Sequence, residues 1–184
     1  MIDIEWNKSN LKSFYKKMDE LIKKIPKGAE KGVKTALEGT QQLAIQLKPQ
    51  GKSNEGILVQ ILDTEKNEIK GRVYTDVNKF PYLVYLEFGT GKYADSEGGG
   101  SRAKRIPWYV HTSMADLSKY NYQIITNADG EQFYVVWGMH PSPFMRPAGF
   151  QRRDENIEEV EKAIYEVLKE VLWQILTHHN SQNG

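Results

Sequence analysis

The chain has 184 residues, of which 39% are hydrophobic and 27% charged, enough for one domain with a real core and too apolar for a disordered chain. Lysine plus arginine number 25 against 24 aspartate plus glutamate, so the balance is not that of a strongly basic nucleic-acid binder. The absence of cysteine excludes disulfides, thiolate zinc sites, iron–sulfur clusters and cysteine nucleophiles.

No apolar run approaches the roughly 20 residues of a membrane helix. The acidic start Met1-Ile2-Asp3-Ile4-Glu5 has no signal-peptide core, so a cytoplasmic protein with no membrane association is expected. Charge is unevenly placed: residues 1–48 carry +4, residues 49–150 are neutral, and residues 151–184 carry −3. Two helix faces of opposite sign packing together would give this pattern. So would head-to-tail complementarity between identical subunits.

In chain order, Leu11, Phe14, Met18, Leu21, Ile22 and Ile25 keep helical spacing, with Ser9 or Asn10 available as cap. Pro26 is expected to end this helix. Ala29, Val33, Ala36, Leu37, Thr40, Leu43, Ala44 and Leu47 predict a second helix to Pro49. Gly28, Gly32 and Gly39 weaken it by about 1 kcal/mol each, so it must depend on packing. Residues 49–56 read as a loop. Ile57–Leu62 and Ile69–Thr75, separated by a polar turn, read as a β-hairpin.

Pro81 suits the first turn of a short helix through Phe88, stopped by Gly89-Thr90-Gly91. Residues 92–105 are expected to be the most flexible part. Beyond Trp108-Tyr109-Val110, the alternation at Tyr122, Ile124 and Thr126, the turn Asn127-Ala128-Asp129-Gly130 and the run Phe133–Trp137 predict a second hairpin. Pro141, Pro143 and Pro147 are expected to hold residues 139–148 extended. A last helix is predicted from about Asp154 to Thr177, acidic in its first turns, with a frayed tail at 178–184. The expected fold is α+β in a single domain: two N-terminal helices, a central antiparallel sheet with long loops, and one long C-terminal helix.

Motifs that would carry chemistry are weak. Gly89-Thr90-Gly91-Lys92 fails as a phosphate loop, since Leu86 stands where a glycine is needed and Tyr93 follows the lysine. Asp63 with Glu68-Ile69-Lys70 echoes the carboxylate–lysine set of Mg²⁺-dependent nucleases, but a solvated hairpin turn explains it better. His111, His140, His178 and His179 have no metal-ligand spacing, and no catalytic residue, metal ligand or cofactor site is assigned. The segment Gly98–Arg105 is a surface loop, a docking loop that orders on a partner, or a phosphate-contacting loop. Its contact residues would be Arg102, Lys104 and Arg105, flanked by Tyr93 and Trp108 as stacking groups. In the proline-rich segment, Phe144 and Met145 need burial, in their own core or against a neighbouring subunit.

Glu87-Phe88-Gly89-Thr90-Gly91, followed by Pro143-Phe144-Met145-Arg146-Pro147-Ala148 before a terminal helix, resembles the tail-completion family of long-tailed phages and prophages. The family's Thr-Gly-x-Leu-x-x-Ser-Ile signature is matched here by Gly56, Leu58 and Ile61, with Glu55 and Gln60 at the Thr and Ser positions. Trp137-Gly138 ahead of Pro141 and Pro143 is similar to Gram-positive members. The resemblance spans roughly residues 10–175. It implies a non-enzymatic minor tail protein at the head–tail junction of the virion, without cofactor. It would act as a homo-oligomeric ring, with six copies as one form, against head connector and tail tube or terminator proteins, with DNA close by in the lumen. Residues 92–132 exceed the family's plain form. A tail terminator, a DNA-associated protein and a Mg²⁺-dependent nuclease are the alternatives.

Overall fold

A computed structural model describes residues 8–49, 54–62, 68–96 and 105–180, with side chains from Leu11 to Gln174. The fold is α+β. Helix α1 runs from Lys8 to Leu47. Strands β1 (Ile57–Leu62) and β2 (Lys70–Thr75) pair with each other. Helix α2 is Tyr82–Phe88, and β3 is Thr90–Gly91. Strands β4 (Trp108–His111), β5 (Gln123–Thr126), β6 (Gln132–Val136) and β7 (Gly138–Met139) precede helices α3 (Met145–Gln151) and α4 (Arg153–Asn180). The strands form three separate small sheets, β1-β2, β3-β7 and β4-β6-β5, rather than the one central sheet expected.

Helix α1 is the main departure from the sequence reading. It is one helix of 40 residues with Pro26 inside it, not two helices divided there. An interior proline removes a backbone donor and costs about 3 kcal/mol. The buried positions explain why the helix continues. Leu21, Gly28, Gly32, Ala36 and Thr40 are buried at steps of seven and four that pass across Pro26 in register. Pro26 itself lies on the exposed side. Packing of a continuous stripe therefore outweighs one local breaker.

The chain forms two compact units. The first comprises the described parts of Met1–Leu43, Val59–Tyr74 and Ala148–Gly184. Here α1 lies directly on α4. A Cβ on Gly32 would stand 2.8 Å from Val160 Cα and 2.9 Å from Ala163 Cβ, and one on Gly28 would stand 2.6 Å from Val167 Cγ2. Lys24 pairs with Glu170 at 3.2 Å, and Lys17 Nζ donates to the Gln174 carbonyl at 2.7 Å. Farther along, the Asn156 amide donates to Thr40 Oγ1 at 2.9 Å, and Arg152 pairs with Glu155 and with Glu159. Helix α4 extends to Asn180, so residues 178–180 are helical rather than part of a frayed tail, while residues 181–184 lie outside the described residues.

The second unit comprises the described parts of Ala44–Leu58 and Thr75–Pro147. Ile57, Leu83 and Phe144 are its largest fully buried side chains among the described residues. Phe80 and Leu83 close over Gly56, and the Asp76 N–H donates to the Gly56 carbonyl at 2.8 Å. The second hairpin forms where expected, with Ile124 opposite Tyr134 and Thr126 opposite Gln132, and β4 pairs on the other side of β6. Tyr134, Val135 and Val136 are consecutively buried, so β6 is covered on both faces.

Candidate functional site

The two segments that carry the family resemblance meet in the second unit. Helix α2 is flanked by Pro81 at its N-cap and Gly89 at its C-cap, and the Gly89 N–H donates to the Tyr85 carbonyl at 2.8 Å. The helix turns Glu87 inward, where it is only 3% exposed. Its Oε2 accepts the N–H groups of Phe144 at 2.7 Å and Met145 at 2.9 Å. Its Oε1 accepts the Arg146 N–H at 3.1 Å and the Arg146 Nε–H at 3.0 Å. A buried carboxylate needs such donors to offset lost hydration. These donors include the first N–H groups of α3, which have no partner within their own helix.

This arrangement corrects the extended conformation expected for residues 139–148 at its last four positions, Met145 to Ala148, which are helical, whereas Met139 lies in strand β7. Helix α3 starts at Met145 with Pro147 as its third residue. In a first turn, proline removes only an N–H that would be unpaired anyway. Arg146 then reaches Asp95 Oδ2 at 2.9 Å, and its guanidinium lies 5.0 Å from the Phe88 ring centre. Ala148 is fully buried, Pro143 is exposed, and Met145 is half-buried.

Strand β3 tightens the same region. Thr90 pairs with Met139 and Gly91 with Gly138. Gly91 and Gly138 have φ of 59° and 139°, and a Cβ on either would strike the opposite strand's backbone. Thr90 Oγ1 accepts the Met139 N–H at 3.0 Å. Gly89-Thr90-Gly91-Lys92 is therefore a short strand entering a turn.

The remaining sequence-marked residues are dispersed. Gly56 is buried, and Leu58 and Ile61 are half-buried on β1. Gln60 accepts from Arg72 Nε and Nη2 at 3.0 and 2.8 Å, which gives this amide a cross-strand partner. Glu55 faces Lys79 at 3.9 Å. Glu68 and Lys70 pair with each other at 2.8 Å on the surface, while Asp63 lies outside the described residues. Tyr93 stacks on His140 with ring centres 3.9 Å apart. Trp108 is half-buried opposite Val136, and Arg105 is exposed. Arg102, Lys104 and most of the loop expected to be flexible lie outside the described residues. Among the described residues, no three histidine or carboxylate side chains group into a metal site. His111 Nδ1 sits 2.6 Å from Ser113 Oγ. The Ser118 hydroxyl and N–H beside Asp116 hold its carboxyl below the ordinary aspartate value.

Asp95 escaped the sequence reading, since nothing local links it to Arg146. So did an aromatic cleft of about 410 Å³ formed by the 120–123 segment with residues around Trp137. Its signal was the run Tyr120-Asn121-Tyr122, which looks like one edge of a hairpin strand. No protein-family model, curated protein or solved structure matches the chain.

Proposed function

We propose that this chain is a structural virion protein of the head–tail junction, acting through ring assembly and protein–protein contacts rather than catalysis. The observation that carries this reading is the Glu87 clamp. The two segments resembling the tail-completion family, 57 residues apart in sequence, meet through one carboxylate that holds three successive N–H groups. All four of its hydrogen bonds are internal, which supports a framework role for the motif rather than a chemical one. Function then falls to surfaces. On this reading the chain occupies the neck of a phage particle after assembling in the host cytoplasm. Its partners are copies of itself, the head connector and the tail tube or terminator.

The test is negative-stain microscopy of particles assembled without this chain. Filled heads lying apart from tails, or tails with irregular ends, are expected, with normal particles restored when the chain is resupplied. Normally joined particles in its absence would overturn the proposal.

A further inference from the structure

We infer that the aromatic cleft beside β7 is a docking slot for a proline-rich segment in polyproline II conformation, supplied by a partner protein. Its lining includes Tyr120 and Tyr122, with ring centres 5.9 Å apart. Trp137 lines it too, with Tyr93 held in place by its stack on His140. Asn121 and Gln123 also line the slot, Asn121 in a left-handed conformation at φ 54°. Trp137 is 44% exposed and Tyr120 55%, although large aromatic side chains gain most from burial.

The polar chemistry selects the occupant. The indole N–H is a pure donor, and the tyrosine hydroxyls and side-chain amides can all donate. Among the described residues, the side chains of Tyr120, Asn121, Tyr122, Gln123 and Trp137 make no hydrogen bond. No carboxylate and no lysine or arginine lines the slot. A polyproline II segment has the matching deficit: its prolines have no N–H, and its carbonyls point outward without internal partners. Its rings pack on aromatic side chains, as in other proline-recognition grooves. A nucleic-acid strand would need a line of cations. The two lysines nearby lie over rings instead: Lys92 is 5.9 Å from the Trp137 ring centre and Lys119 is 4.8 Å from that of Tyr120. The inference stands apart from the junction role, since the slot and its ligand can be tested in solution.

The experiment is calorimetric titration of the full chain with a decaproline peptide. A glycine–serine decamer and a deoxythymidine decamer are the comparison probes. Saturable binding of decaproline below about 1 mM is expected. Trp137→Ala should weaken it at least tenfold and Tyr120→Ala several-fold. Tyr109→Ala, an exposed aromatic on β4 outside the slot, should leave it unchanged. Tyr120 lies on an exposed one-turn helix, so its variant keeps the test decisive should Trp137→Ala fail to fold. The inference is overturned if decaproline does not saturate, if Tyr120→Ala leaves its affinity unchanged, or if either comparison probe binds as tightly.

Discussion

Glu87 places a carboxyl group where almost no water reaches, and the backbone of Phe144, Met145 and Arg146 supplies what solvent would have given. Glu87→Ala would strand three N–H groups and remove one of the carboxylate partners of the Arg146 guanidinium, leaving Asp95. An unpaired buried donor costs about 1–3 kcal/mol. With Arg146 partly open to solvent, the expected total loss is about 3 kcal/mol, read from the urea midpoint at constant slope. Glu68→Ala, which breaks the exposed pair with Lys70, should cost less than about 1 kcal/mol. An equal cost for both would remove the clamp from the account of stability. The sequence marks Glu87 and Arg146 as members of two segments with a shared resemblance. It does not show that they touch, because no local periodicity links residues 59 positions apart.

The helix pair makes the opposite point about elements. The periodicity of Ile157, Val160, Ile164 and Val167 locates α4 to within a few residues, and alternation locates both hairpins. Pro26 and Pro147 mislead for one reason: a proline reports what its own backbone forbids, while position within a helix and tertiary packing decide whether that matters. Gly28 and Gly32 of α1, which look like weaknesses in isolation, lie directly against α4. Two substitutions should separate these effects. Gly32→Ala gains about 1 kcal/mol of helix propensity but drives a methyl into the α4 backbone, so a net loss of about 1–2 kcal/mol is expected. Gly149→Ala in α3 meets nothing within 4 Å and should gain about 0.5–1 kcal/mol. Thermal or urea unfolding of both variants checks the signs, and stabilisation by both would mean that the two helices are not in close contact.

Over the whole molecule, nine lysines against four acids on α1 face seven acids against three basic residues on α4. The two helices pack on each other, as one of the two explanations for the charge asymmetry required. The Lys24–Glu170 bridge uses one charge from each. Arg152 takes up Glu155 and Glu159, and in the proposed ring the charges left over on each helix would face other copies of the chain. Tyr165, Leu172 and Trp173 are also exposed on α4, and Tyr15 and Ile22 on α1. Sedimentation velocity should therefore show self-association at about 50 mM salt that weakens toward about 0.5 M, as screening shortens from roughly 14 Å to 4 Å. Association unchanged by salt would exclude charge as its cause. The Glu87 clamp has a consequence for how such a protein diversifies. It pins the chain at both ends of the stretch from Gly89 to Pro143, so whatever lies between begins and ends at fixed points. Closure entropy grows only logarithmically, about 0.6 kcal/mol for each doubling of a flexible loop. Evolution can therefore lengthen the turns between the strands of that stretch at little thermodynamic cost, and fit a new partner while the paired strands and the frame that holds them are inherited intact.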